Sequence, residues 1–135
     1  MPVIRHKDIP ERERRPGHRV QNLVGPDQGA TGLTVTISKL DPGAMVPLHT
    51  HRIEEAIVVQ AGEGVFHLGG ETVTVGAEAT VLVPAETVHG FHNAGPAVLT
   101  VLAAFPVTDP LTERWTTYLE GQPPPGYHPA PSPSP

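Results

Sequence analysis

His49, His51 and Glu55 fall within one short stretch, and His89 follows some way downstream. Their types and spacing suit metal binding. His49 and His51 are two positions apart. On a strand, residues i and i+2 face the same side, about 6–7 Å apart, so both imidazoles can converge on one cation. On a helix the same spacing would send them to different sides. Glu55 lies four residues beyond His51, and a small bend at Arg52–Ile53 would return its carboxylate to the same centre. Glu54 is the alternative carboxylate, one residue off in parity. Imidazole and carboxylate together suit first-row divalent ions such as Fe, Mn, Ni, Cu and Zn. The ordinary alternative is a pair of surface histidines, because His-x-His arises often by chance. The surrounding sequence argues against it. It is apolar, and three histidines with a glutamate facing inward would need a partner to offset their burial.

The elements that must position these residues are strands. "GLTVTISKL" alternates, with Leu33, Val35 and Ile37 on one face and Thr34, Thr36 and Ser38 on the other, a half-buried strand of period two. "DPGA" turns the chain. "EEAIVVQ", "VFHL", "ETVTV", "ATVLVP", "TVHGFHN" and "AVLTVLAAF" follow, separated by glycine-bearing turns. Short strands at this spacing predict an antiparallel sandwich or barrel. Residues 1–30 read as an N-terminal arm punctuated by proline and charge, and 31–107 as the barrel. A short C-terminal helix is expected over 108–120: Thr108 or Asp109 can cap it, Pro110 fits its first turn, and Leu111, Trp115 and Tyr118 or Leu119 share a face. Trp115 reads as a packing anchor. The tail, 121–135, holds seven prolines in fifteen residues and reads as disordered or polyproline-like.

Charge and composition exclude several classes. The net charge is −5. Residues 1–19 carry six basic and three acidic side chains, whereas the rest of the chain carries three basic and eleven acidic. So acidic a domain is a poor binder of phosphate backbones, and no nucleic-acid partner is expected. The chain has no cysteine, which rules out disulfides, thiolate zinc sites and a cysteine nucleophile. No apolar run approaches the roughly 20 residues that span a bilayer, and the first 30 residues lack the apolar core of a secretory signal. The expectation is a soluble, cytoplasmic protein with no membrane partner.

"GAMVPLHTHRIEEAIVVQAG", Gly43 to Gly62, resembles the first cupin motif at every fixed position: Gly43, His49, His51, Glu55 and Gly62. "PAETVHGFHN" resembles the second, matched by Pro84, His89 and Asn93. Glu86 stands where that motif has glycine, which puts the tight turn before His89 in question. The motif's earlier glycine is also displaced: its spacing falls on Glu78, and Gly76 comes two residues early. The resemblance covers about residues 32–106 and is to a small single-domain cupin. It implies an all-β fold, a double-stranded β-helix or jelly-roll barrel, holding one divalent transition metal. The implied ligands are His49, His51, Glu55 and His89, a set similar to that of quercetinase-like dioxygenases. Glu55 is favoured over Glu54 because it holds the motif register. Asn93 is expected to serve the fold by bonding backbone.

Met45, Pro47, Ile57, Phe66, Phe91 and Phe105 are the expected pocket residues, with Leu82, Val101 and Ala103 as further wall candidates. His67, His92 and Arg52 read as surface or rim. No lysine or arginine cluster reads as facing inward. That suits a small, largely apolar or neutral oxygenated substrate that chelates the metal, and argues against sugar phosphates. The leading expectation is a dioxygenase-type oxidoreductase in which Glu55 also acts as base. A metal-dependent lyase, isomerase or cyclase is the alternative, and a non-catalytic metal-dependent binding protein is a third. A homodimer paired through sheet edges is expected.

Overall fold

The structure is a computed structural model and describes residues 2–119. Eleven strands follow in order: β1 (Arg12–Arg15), β2 (His18–Val24), β3 (Thr34–Leu40), β4 (Met45–His51), β5 (Glu55–Ala61), β6 (Glu63–Leu68), β7 (Glu71–Gly76), β8 (Ala79–Val83), β9 (His89–His92), β10 (Leu99–Phe105) and β11 (Thr116–Tyr118). They form two antiparallel sheets. One has the order β1-β2-β3-β10-β5-β8, the other β11-β4-β9-β6-β7. From β3 onward the chain changes sheet at nearly every turn, which winds the two sheets into a double-stranded β-helix. The inward residues of both sheets meet in the core. Leu40, Val59, Phe66 and Leu99 are almost wholly buried there. Burying each such side chain contributes about 1.5–3 kcal/mol. Ile57, Phe91 and Val101 belong both to this core and to the wall of a cavity above it, so they form the cavity floor.

Two glycines let the strands close up. Gly62 turns β5 into β6 at φ +75°, and a Cβ there would sit 2.6 Å from the Val98 carbonyl oxygen. Gly90, between His89 and Phe91, lies so close to β4 that a Cβ would stand 2.7 Å from the Val46 oxygen. Glu86 occupies the motif's glycine position and adopts the left-handed conformation itself, at φ +65°. Its N–H donates to the His51 carbonyl at 2.7 Å, so the turn before His89 forms without glycine. Asn93 bonds backbone as expected: its Nδ2 donates to Leu40 and Ala97 carbonyls, and its Oδ1 accepts from Gly95 N–H.

The ends of the chain depart from expectation. The segment 1–30 is not simply an arm. Gly17, at φ +75°, sits in the turn of a hairpin between β1 and β2, and β2 pairs with β3 along its length. His18, Val20 and Leu23 are buried; the alternation of "HRV" was masked by the charges around it. No α-helix occurs among the described residues, so the helix expected over 108–120 is corrected to turns followed by β11. Thr116 N–H does reach the Thr112 carbonyl, one helical turn. The turn stops there because two β-branched residues follow, and these suit a strand. Thr116, Thr117 and Tyr118 pair with His51, Thr50 and His49. Trp115 is half-buried, with the Arg114 guanidinium 4.8 Å over its ring. The expected proline-rich tail over 121–135 lies outside the described residues.

Candidate metal centre

β4 ends on alternating residues of which His49 and His51 face inward, 4% and 2% exposed. The chain then bends through 52–54, as the spacing required, and β5 opens on the buried Glu55. Glu54 is exposed. β9 lies beside β4 and places His89 directly opposite His49. Four side chains from three strands therefore meet. His49 Nε2 is 3.1 Å from His51 Nε2. Glu55 Oε1 lies 3.2 Å from His51 Nε2 and 3.1 Å from His89 Nε2. One ligand atom of each residue lies within 4.8 Å of all the others.

The far side of each ring fixes what faces this centre. His49 Nδ1 donates to the Pro47 carbonyl at 2.7 Å, and His89 Nδ1 to the Thr87 carbonyl at 2.8 Å. Carbonyls only accept, so both protons sit on Nδ1. His51 Nδ1 lies 2.8 Å from Thr116 Oγ1, whose own hydroxyl donates to the Pro110 carbonyl; the His51 nitrogen must therefore donate as well. Each neutral ring then presents an Nε2 lone pair inward. Burial, followed by the neighbouring His89 and His51, lowers the His49 pKa from 6.5 to about 3 against the opposing Pro47 and Glu55 contacts, so that ring is neutral. Burial alone would raise the Glu55 carboxyl; the hydrogen bonds that outweigh it and hold the group down at about 2 require a proton on His51 or His89 Nε2, the side these neutral tautomers leave bare. Three lone pairs and a carboxylate oxygen this close repel one another unless positive charge sits among them. A first-row divalent ion meets that need. With bonds of about 2.0–2.1 Å, neighbouring ligand atoms at right angles stand about 3 Å apart, close to the separations seen. Outward Nδ1–H donors also give the second shell that orients and strengthens imidazole ligands.

The centre sits in a cavity of about 300 Å³. Ile57, Phe91 and Phe105 line it as expected, together with Val46, Val101 and Ala103. Four expected residues, Met45, Pro47, Phe66 and Leu82, do not line it. Met45 is 45% exposed, and Pro47 and Phe66 are buried outside the cavity wall. The register of β4 against β9 shifts between Val46 and His49, and this bulge exchanges Val46 for Met45 and Pro47 as the lining residue. Phe66 lies behind the wall, stacked on Phe91 with centroids 4.7 Å apart. Leu82 is 63% exposed. His67 and His92 stack on each other outside the cavity, and Arg52 is exposed.

The remaining wall is polar and was not foreseen. β3 buries Thr34, Thr36 and Ser38, and all three line the cavity. Arg14, Arg15, His18 and Tyr118 line it too, which overturns the expectation of a pocket without arginine. Arg15 Nη2 donates to the Tyr118 hydroxyl at 3.3 Å, and the Tyr118 ring lies 5.4 Å from that of His49. β1 and β11 thus meet beside the candidate ligands. His18 Nδ1 accepts from Arg15 Nη1 at 3.5 Å, so its Nε2–H donates to Ser38 Oγ at 2.9 Å.

Burial, then Arg14, Arg15 and Arg19, lower the His18 pKa from 6.5 to about 3. The ring is neutral in the fold and protonates near pH 6.5 once unfolded, so acid favours the unfolded chain. Its contribution is complete above pH 6.5 and is lost as pH falls towards 3. In EDTA-treated protein, stability from urea unfolding is expected to fall more steeply below pH 6.5 in wild type than in His18→Gln. The difference in slope is up to about 1.4 kcal/mol per pH unit. Parallel profiles would show that the buried ring does not resist protonation.

Comparison with known proteins places this geometry. The family profile described as Cupin domain matches residues 36–105. Auxin-binding protein 1 of Arabidopsis thaliana is 25% identical over 130 residues, covering 85% of this chain and 66% of that protein; the chain thus spans just under two thirds of that relative's length. Among solved structures, the polyketide cyclase RemF from Streptomyces resistomycificus superposes with TM-score 0.71 at 25% identity, over 78% of this chain and 79% of that one. A predicted oxalate decarboxylase from Thermotoga maritima superposes with TM-score 0.68 at 26% identity, over 78% and 98%.

Proposed function

The chain belongs to the cupin domain family, and from that premise we propose that it is a metal-dependent enzyme acting on a small oxygenated molecule, with dioxygenase-type oxidation as its chemistry. The observation that carries this reading is the convergence of His49, His51, Glu55 and His89 on a cavity that Ile57, Phe91, Val101 and Phe105 also line. An ion there would supply Lewis acidity and open positions for a substrate oxygen or dioxygen. The chain's own residues do the rest. Pro47, Thr87 and Thr116 hold the three rings in the tautomer that ligates. Ile57, Phe91, Val101 and Phe105 seat an apolar body and exclude water. Glu55 holds the one carboxylate among the four ligands and is the base that takes a hydroxyl or enol proton from the substrate.

A second reading is ring closure or elimination without oxygen, favoured by the likeness to the polyketide cyclase. Pairing into a homodimer belongs to the same proposal. Leu82 and Val73 are exposed on β8 and β7, the edge strands of the two sheets, and pairing would cover them. Among the described residues no helix is long and apolar enough to cross a membrane, and a cytoplasmic location remains part of the proposal.

The deciding experiment loads the protein in turn with Fe(II), Mn(II), Ni(II), Cu(II) and Zn(II). Each form is then challenged with flavonols, catechols and polyketone acids while oxygen uptake and product mass are followed. Oxygen uptake with cleavage of the probe is the expected result. A product formed without oxygen uptake would move the assignment to the cyclase or lyase class. Ligand-dependent stabilisation without any product would make the protein a binder.

A further inference from the structure

The first hairpin brings a cation into the cavity by a bulge. β1 and β2 pair Glu13 with Arg19 and then Arg15 with His18, leaving Arg14 as the extra residue. A bulge re-aims side chains that regular pleating would send to opposite faces, and both Arg14 and Arg15 line the cavity. Their surroundings differ. Arg15 is engaged with His18 and Tyr118. For Arg14, no carboxylate among the described residues lies within ion-pair distance. Asp109, which also lines the cavity, is exposed and unpaired with it. Burial lowers the Arg14 pKa, Tyr118 opposes this and Arg15 adds to it; a guanidinium nevertheless stays charged. A half-buried cation with no internal counter-ion is costly. No carboxylate of the described residues offsets it, and the cavity that Arg14 lines is where an anion can reach it.

We propose that Arg14 receives a carboxylate of the ligand, so that the substrate class is a compact, mostly apolar acid with a metal-seeking oxygen group at one end and a carboxylate at the other. Arg fits because its planar fork takes carboxylate oxygens in pairs. The apolar residues Ile57, Phe91, Val101 and Phe105 line the same cavity and select an aromatic or aliphatic body over a polyhydroxylated sugar phosphate. The metal-seeking half of this assignment rests on the function proposed above; the carboxylate half does not.

The test measures binding by calorimetry with two probes of similar shape, 3,4-dihydroxyphenylacetate and 4-methylcatechol. It uses Zn(II)-loaded and EDTA-treated protein. Wild type is expected to bind the acid about ten- to hundred-fold more tightly than the neutral catechol. Arg14→Gln should abolish that preference and leave 4-methylcatechol within about two-fold of wild type. Arg14→Lys, which keeps the charge and loses the fork, should retain part of it, and it serves if the glutamine variant does not fold. A preference that survives both substitutions, or that is absent from wild type, overturns the assignment. In EDTA-treated protein the acid should keep its Arg14-dependent advantage, whereas a carboxylate seated on zinc would lose it in every variant. If zinc improves neither probe, the metal reading fails, and the ratio between the probes still reports on Arg14.

Discussion

Protein carrying His49→Ala together with His51→Ala is expected to purify with under about a tenth of a metal equivalent per chain, where wild type carries about one. The two substitutions remove two of the three inward Nε2 lone pairs. What remains is His89 and Glu55, a two-ligand remnant. Loss of a second-shell partner alone costs about 10–100-fold in affinity, so loss of two direct ligands is expected to cost at least about 1,000-fold by the same scale. A second readout guards against a trivial loss. Metal at 1,000 times its dissociation constant should stabilise wild type by about 4 kcal/mol, and the double variant should show no shift. The variant should still fold, because the core around Leu40, Val59, Phe66 and Leu99 lies beneath the site. Elemental analysis, calorimetric titration and melting with and without added ion read all of this. Equal metal content in the two proteins would mean that the ion binds elsewhere and that these histidines only line a barrel.

The candidate metal-binding cluster was legible because most of its geometry is local. His49 and His51 share a strand face by parity alone, and Glu55 needs only the short bend at 52–54. His89 is distant in sequence: its type made it a candidate, no periodicity places it beside the other three, and the second motif supplied that placement. The strands of 31–107 were legible from alternation and glycine turns. The cavity's other wall was not, for three physical reasons. β3 alternates plainly, yet it buries Thr34, Thr36 and Ser38 and leaves Val35 and Ile37 only half-buried; which face turns inward depends on whether a polar cavity lies behind it. Arg14 enters through a bulge set by β2, and pairing register is a long-range property. β11 competes with a helix in a stretch whose cap and apolar spacing favour the helix, and pairing with β4 decides it. These three elements also carry Thr34, Thr36, Ser38, Arg14, Arg15 and Tyr118 of the pocket's polar wall. The sequence patterns therefore exposed the chemistry of the ligands and concealed the part of the site that would choose the substrate.

Glu55→Gln is the change that separates ligation from catalysis. The substitution keeps size and shape but removes the cluster's one negative charge. It also puts an amide NH2 within reach of His51 and His89 Nε2, where Glu55 Oε1 now lies 3.2 and 3.1 Å away. A donor there satisfies the very lone pairs that would ligate, so the metal-free variant is expected to melt higher than metal-free wild type. Its affinity for Zn(II) should fall about 10–100-fold, through competition and lost charge together. The remaining loss is still satisfiable by mass action, so the variant can be saturated with ion and checked by elemental analysis. Once saturated, turnover is expected to be at least about 100-fold below wild type, the usual contribution of a positioned base. A substrate that binds through Arg14 and the apolar floor should keep most of its affinity. Three outcomes are distinct. Lost turnover with retained metal and ligand makes Glu55 the base. Turnover that falls only in proportion to metal content makes it a ligand alone. Wild-type turnover in the saturated variant would remove Glu55 from the mechanism and pass the proton to another group at the cavity wall, where Tyr118, His18 and Asp109 are titratable candidates.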